Sequence, residues 1–201
     1  MWRDGLFNGE VVMSPLCCHG LVHLNPYGEY AVLLAASLAN DWPDTCDGIE
    51  ERTRDFGMTM SFRIGADDHA QTRAVIDEWL RMVDAPTEDE RARLLNETMS
   101  VAAAYPRLTN HDDEGWHLHY RDRDQSLAHV LTAVISVGTA LHLTTRGMHR
   151  IGRCAAGESG GASCEKVIVD VTRNGTQRYC SVRCANRSAV RRHRARAAAR
   201  R

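Results

Sequence analysis

The chain has 201 residues, 43% hydrophobic and 25% charged, with a formal net charge of −1. That length suits one sizeable domain plus a small module, and the composition excludes a disordered or collagen-like chain. The near-neutral sum hides a division: from Arg150 onward there are 13 basic and three acidic residues, net +10, whereas the first 149 residues sum to −11, as expected when one part meets a polyanion and the other does not.

In chain order, the first thirty residues read as short strands and turns (GEVVM, LVHL), with no basic start, apolar core and cleavage site of a secretory signal. A cytoplasmic setting is therefore expected. An apolar segment, YAVLLAASLAND, follows and ends at Trp42-Pro43. Met58, Met60 and Phe62 alternate with Thr59, Ser61 and Arg63, the period of a half-buried strand over Met58–Ile64. A helix over about His69 to Val83 lines up Val75, Ile76, Trp79, Leu80 and Val83 on one face, after the capping candidates Asp67 and Asp68. A second opens with Pro86 and the capping-box pattern Thr87-x-x-Glu90, carrying Leu94, Leu95, Met99 and Val101 inward. After a polar loop, WHLHY predicts a short strand, and a long helix runs from near Asp124 to Gly147 as its C-terminal cap. Its apolar run, Leu127 to Leu143, is broken by His129 and His142 and falls short of the ~20 residues of a membrane span, so a buried core helix and no membrane partner are expected. Residues 1–150 thus read as an acidic, mostly helical domain, and 151–201 as a separate small module.

Seven cysteines in a reducing compartment argue against a disulfide framework. Four of them lie in the last 48 residues: Cys154, Cys164, Cys180 and Cys184. Four thiolates match the tetrahedral preference of Zn2+, and a structural zinc site stabilises a module too small for a core of its own. Between the pairs, Val167, Val169 and Val171 alternate and Asn174-Gly175 signals a tight turn, so a hairpin over KVIVDVTRNGTQRYC is expected, returning to Cys180. Loop ligands, hairpin, then two ligands at a helix start is the layout of a treble-clef-like, four-cysteine zinc finger. Cys17, Cys18, His19 and His23 look metal-like, but strand or turn cysteines buried as small hydrophobes are the simpler reading, and the isolated Cys46 reads as inert. His117 and His119 share one face of their strand, where a half-exposed hairpin is the simpler reading than a ligand pair. No nucleophile-base pair, phosphate loop or paired-acid motif appears, so no catalytic role is expected.

The segment RCAAGESGGASCEKVIVDVTRNGTQRYCSVRCANRSAVRRHRAR resembles the CGNR zinc finger, a C-terminal module of bacterial proteins with an ABATE-type N-terminal domain, regarded as transcriptional regulators. Cys154, Cys164, the Asp170-x-Thr172-Arg173-Asn174 turn, RYCS and CANR followed by a basic helix carry the likeness; Ala185 stands where the family has the glycine of its name. The resemblance implies a mainly α protein with a minor β component, a bound Zn2+ and a regulatory role.

A helix from Ser181 places Arg183, Arg187, Arg191, Arg194 and Arg201 in one stripe, with Arg192, Arg196 and Arg200 opposite. Rooted in metal and lacking apolar residues beyond Val190, it should project and meet double-stranded DNA. Expected contacts are Arg173, Arg178, Arg183, Asn186, Arg187, Arg191, Arg192 and Arg194, with Asn186, Arg187 and Arg191 nearest base edges. One finger has a small footprint, so a homodimer or a partner such as RNA polymerase is expected to add specificity. An RNA-binding or ribosome-associated zinc protein is the alternative; it is disfavoured by the scarcity of aromatics near the basic helix, where only Tyr179 stands.

Overall fold

The computed structural model describes residues 28–58, 65–109, 117–120, 125–157 and 164–200. The strands expected before residue 28, the Cys17, Cys18, His19 and His23 group, and all of the Met58–Ile64 strand except Met58 lie outside the described residues. Within them the chain is mainly α: α1 Glu29–Asn40, α2 Cys46–Asp55, α3 Ala66–Val83, α4 Glu88–Ala102, α5 Leu127–Arg146 and α6 Val182–Ala198. The β component is two small antiparallel sheets, β1 Arg107–Thr109 with β2 His117–His119, and β3 Ile151–Arg153 with β4 Val167–Val169.

Helix α5 is apolar on every side and is accordingly buried, from Leu127 through Leu131 and Ile135 to Leu143. Among the described residues it alone is long and apolar enough to cross a membrane, yet 67% of that stretch is buried inside the protein, which makes it the core helix. Helices α1, α3 and α4 pack around it through Leu34 and Leu38, Ile76 and Trp79, and Leu94 and Leu95. The buried indole N–H of Trp79 donates to Thr139 Oγ1 at 3.0 Å, so the largest core side chain leaves no polar atom unpaired. His142, on the same helix, is fully buried and neither ring nitrogen has a hydrogen-bond partner. Burial first, then the charge of Arg146, holds its pKa below the ordinary value, so the core carries a neutral imidazole.

Local chemistry sets the helix ends. Thr87 Oγ1 accepts the Glu90 N–H at 3.1 Å, and Ser126 Oγ the His129 N–H at 3.3 Å. Asp68 Oδ2 accepts the Gly65 N–H at 2.7 Å, which starts α3 at Ala66, three residues before the expected His69. Helix α2 escaped the periodicity reading because it buries only Ile49 and Thr53, too few to mark a face. Cys46, its first residue, donates from Sγ to the Gly65 carbonyl at 3.3 Å.

The hydrophobic core runs past residue 150: Ile151, Val167 and Val169 belong to the same buried cluster as Leu34, Leu131 and Ile135. Three polar devices reinforce that junction. Asn40, the last residue of α1, uses its side-chain amide as a strand partner, donating to the Val167 carbonyl at 2.8 Å and accepting the Val167 N–H at 2.7 Å. Arg153 grips Asp84 at the end of α3 with two bonds, Nε to Oδ1 at 2.7 Å and Nη2 to Oδ2 at 2.6 Å. Arg91 reaches from α4 to the carbonyls of Met82, Val83, Met148 and Ile151. Its guanidinium stands at the negative end of α3 and ties that end to β3; burial lowers its pKa, against the pull of Glu88 and Asp84.

One expectation is corrected here. Val167–Val169 is a strand, but it pairs with Ile151–Arg153 and not with a return strand after Asn174-Gly175. Residues 176–179 have no ladder; the Arg178 carbonyl accepts the Ala155 N–H at 2.8 Å, and the Gln177 N–H donates to the Asp170 carboxylate at 2.9 Å. The turn itself is present, held by a buried carboxylate instead of by paired strands.

Candidate metal centre and basic helix

Strand β3 runs directly into Cys154, and Cys164 lies three residues before β4, so the sheet holds two thiols at the mouth of one loop. Cys154 N–H donates to the Lys166 carbonyl at 2.8 Å and Gly157 N–H to the Cys154 carbonyl at 2.9 Å, folding the chain tightly beneath the first sulfur. A Cβ at Gly157 would lie 2.8 Å from the Cys164 carbonyl oxygen, which is why this corner takes glycine. The other two thiols come from the start of α6. Ser181 caps that helix, its Oγ accepting the Cys184 N–H at 3.3 Å, which fixes Cys184 in the first turn with Cys180 just before it.

The four sulfurs all lie within 4.8 Å of one another. Cys164 to Cys180 and Cys180 to Cys184 are each 3.6 Å. A tetrahedron with ~2.3 Å zinc–sulfur bonds has edges of about 3.8 Å, whereas a disulfide requires ~2.05 Å. The spacing is therefore that of a metal site closed by four thiolates. Cys154 and Cys184 are buried, and Cys164 and Cys180 half-buried, so little solvent reaches the sulfurs. Without a metal the thiols titrate unequally. The Ser181 contact and neighbouring sulfurs outweigh burial and bring Cys184 down to about 7, while burial and the same sulfurs push Cys180 up to about 12. Zinc binds thiolates, so its uptake must release whatever protons the four thiols still carry and weaken at low pH.

Hydrogen bonds to sulfur complete the site. Cys180 N–H donates to Cys154 Sγ at 3.4 Å, and Arg187 Nη2 donates to Cys184 Sγ at 3.4 Å. Four thiolates around Zn2+ leave a net charge of −2, and the half-buried Arg187 offsets part of it. Arg187→Gln is expected to weaken zinc binding about tenfold, the low end for partners of metal ligands. Chelator competition measures it, and unchanged affinity would remove Arg187 from the site.

The turn between β4 and α6 is organised by Asp170, 3% exposed. Its Oδ1 accepts from the Thr172 hydroxyl at 2.5 Å and the Thr172 N–H at 2.9 Å, and its Oδ2 from the Gln177 N–H at 2.9 Å. Arg150 lies 3.5 Å from Oδ1 and donates to the Thr172 carbonyl at 2.7 Å. Gly175 follows with φ 64°, and a Cβ there would lie 2.6 Å from the Arg150 guanidinium carbon. The positive φ is what favours glycine here, and it leaves room for the Arg150 guanidinium. Burial raises the Asp170 pKa, but the Thr172 and Gln177 bonds and the Arg150 charge outweigh it and hold the carboxyl below its ordinary value.

The basic helix is placed as follows. Along α6 only Cys184 and Ser188 are buried. Arg191 is half-buried and its Nη2 donates to the Ala156 carbonyl at 2.8 Å, so it and Arg187 face the metal loop. Arg192 is exposed and its Nη1 bonds the Tyr179 hydroxyl at 2.7 Å and Ser188 Oγ at 2.8 Å. Arg183, Asn186 and Arg194 are exposed on α6, and Arg173 and Arg178 are exposed on the preceding segment. Ala185 lies inside the first turns of α6, a position with no need of glycine. Residues that sequence reasoning passed over are Arg150, Arg153, Asn40 and Arg91, whose partners are distant in the chain and left no local signal. His119 lies in β2 and pairs in register with Arg107; among the described residues the four cysteines are the one group found able to hold a metal.

A short antiparallel sheet, a ligand-bearing loop and a capped helix closing on four thiolates define a four-cysteine zinc finger of treble-clef-like layout. Residues 150–197 match the family model of the CGNR zinc finger. No curated protein matches the chain.

Proposed function

We propose that the protein is a zinc-dependent, DNA-binding transcriptional regulator, with the helical part serving sensing, dimerisation or partner binding. The observation that carries this reading is α6, whose first turn holds a zinc ligand and whose remaining length presents arginines outward with almost no packing. A helix fixed at one end by metal presents its charges in a set geometry, which suits a groove lined by phosphates. Arg183, Asn186 and Arg194 form the contact face on α6, Arg192 adds a further cation, and Arg173 and Arg178 flank them. Arg187 and Arg191 act differently from the rest, orienting the helix against the metal loop. The acidic helical part favours confinement of nucleic acid to the finger.

An RNA reading depends on stacking, and Tyr179 packs against the cysteines with its hydroxyl held by Ser188 and Arg192, which disfavours it. Binding of a duplex through roughly five or six phosphates is expected to give a slope of log affinity against log salt near −5. Anisotropy titrations of a labelled duplex between about 50 and 200 mM salt measure that slope, with single-stranded RNA as competitor. A flat salt response, or displacement by RNA at lower concentration than by duplex, would sink the reading.

A further inference from the structure

Between α3, α4 and α5 lies a half-open groove of about 430 Å³, within the range of small-ligand sites. Its body is apolar, formed by Val75, Trp79, Leu95 and Ile135. The hydroxyls on its wall are spent on their own helices: Thr98 donates to the Leu94 carbonyl at 3.0 Å, Thr132 to Ala128 at 2.7 Å and Ser136 to Ala133 at 3.2 Å. What these side chains still offer is acceptor lone pairs. The charged side chains that line the groove are both carboxylates, Glu78 and Glu97, and among the described residues no Lys, Arg or His joins them. Glu78 uses Oε2 to pair with Arg81, and Glu97 uses Oε1 to pair with Arg93, which leaves the second oxygen of each. The indole of Trp79 has committed its N–H to Thr139, so it serves the groove as an apolar, electron-rich ring.

An apolar body with acceptors, carboxylates and an aromatic ring, and without a base, selects by charge. It repels an acid, gains little from a neutral molecule beyond its area, and attracts a positive group on an apolar frame. We propose that this groove binds a small hydrophobic organic cation. The proposal deepens the sensing role given to the helical part, and direct binding tests it, so its failure and a failure to bind DNA are separate results.

Tetraphenylphosphonium and tetraphenylborate have the same shape and opposite charge, and each is titrated into the full zinc-loaded chain by calorimetry and tryptophan fluorescence. Expected is saturable binding of one cation per chain, at least about tenfold tighter than the anion. Removing both carboxylates with Glu78→Gln and Glu97→Gln should weaken the cation about fivefold, the scale of two half-exposed charge contacts. Ala74 stands exposed on the wall of the groove, so Ala74→Trp should obstruct it and abolish binding without changing zinc content or circular dichroism. Equal affinity for the two ions, retained binding in Ala74→Trp, or no binding of either ion overturns the proposal.

Discussion

Cys180→Ser is expected to yield a protein without stoichiometric zinc and with a lowered melting temperature for the whole chain, not for the finger alone. Cys180 is the sulfur with two neighbours at 3.6 Å, and its N–H also bonds Cys154 Sγ. Serine at that position offers a poor zinc ligand, and structural Zn2+ in small fingers contributes on the order of 10 kcal/mol to folding. Three residues carry the effect into the helical part. Ile151, Val167 and Val169 flank the cysteine loop and pack into the core around α5. If the unfolded loop loosens them, burial worth about 1.5–3 kcal/mol each is at stake. Partial loss of that burial, about 3–4 kcal/mol, lowers the midpoint of a chain this size by about 10 °C. Elemental analysis and thermal melts of wild type, variant and chelator-treated protein measure both effects. One zinc per chain in the variant would contradict the ligand assignment, and an unchanged melt would contradict the shared core.

Asp170→Ala should destabilise the protein by about 3–5 kcal/mol, because it leaves buried partners without their counterpart. Two backbone N–H groups and a hydroxyl lose their acceptor, and Arg150, whose side chain is 10% exposed, loses the nearby carboxylate. The turn they shape delivers the chain from β4 to Cys180, so zinc affinity should fall with stability. Asp170 also predicts an acid limb. Its folded pKa lies below the unfolded value, so its contribution is complete above about pH 4 and is lost as pH falls through the folded value. His142 acts in a higher window by the opposite group chemistry. Its folded pKa lies below about 6.5, the folded core takes up fewer protons than the unfolded chain, and stability declines as pH drops below that value. Denaturant titrations from about pH 7 to about pH 3 should therefore show the His142 decline first and then a lower limb to which Asp170 protonation and zinc release both contribute, a limb made shallower in Asp170→Ala. An identical acid limb in wild type and variant would refute the assignment.

Much of this was legible in the sequence, for reasons that differ by element. Helices α3, α4 and α5 carry apolar residues at helical spacing, and Thr87 and Gly147 announce the start of α4 and the end of α5, whereas α5 begins at Leu127 behind Ser126 and not near Asp124. Helix α2 carries no such stripe and was invisible. Strand β3 was missed because a three-residue element has too little pattern to read, and its pairing with β4 spans a loop that no local rule anticipates. The Asn174-Gly175 signal did mark a turn, but a turn forms a hairpin only if both arms pair, and here Asp170 satisfies the backbone instead.

Composition and spacing alone therefore determined the mainly α architecture, the four zinc ligands and the basic character of the last helix, because periodicity, thiol chemistry and charge are properties of residues in order. Only the tertiary structure decided which arginines face the metal loop. Arg187 and Arg191 share a helical stripe with Arg183 and Arg194, and helical spacing cannot separate them; the loop carrying Ala156 and the sulfur of Cys184 does. The same holds for the junction made by Asn40, Arg91 and Arg153, whose hydrogen bonds join residues 127, 60 and 69 positions apart. Such contacts arise when packing of the core brings the end of α1, the end of α3 and the cysteine loop together, and no stretch of sequence records that meeting.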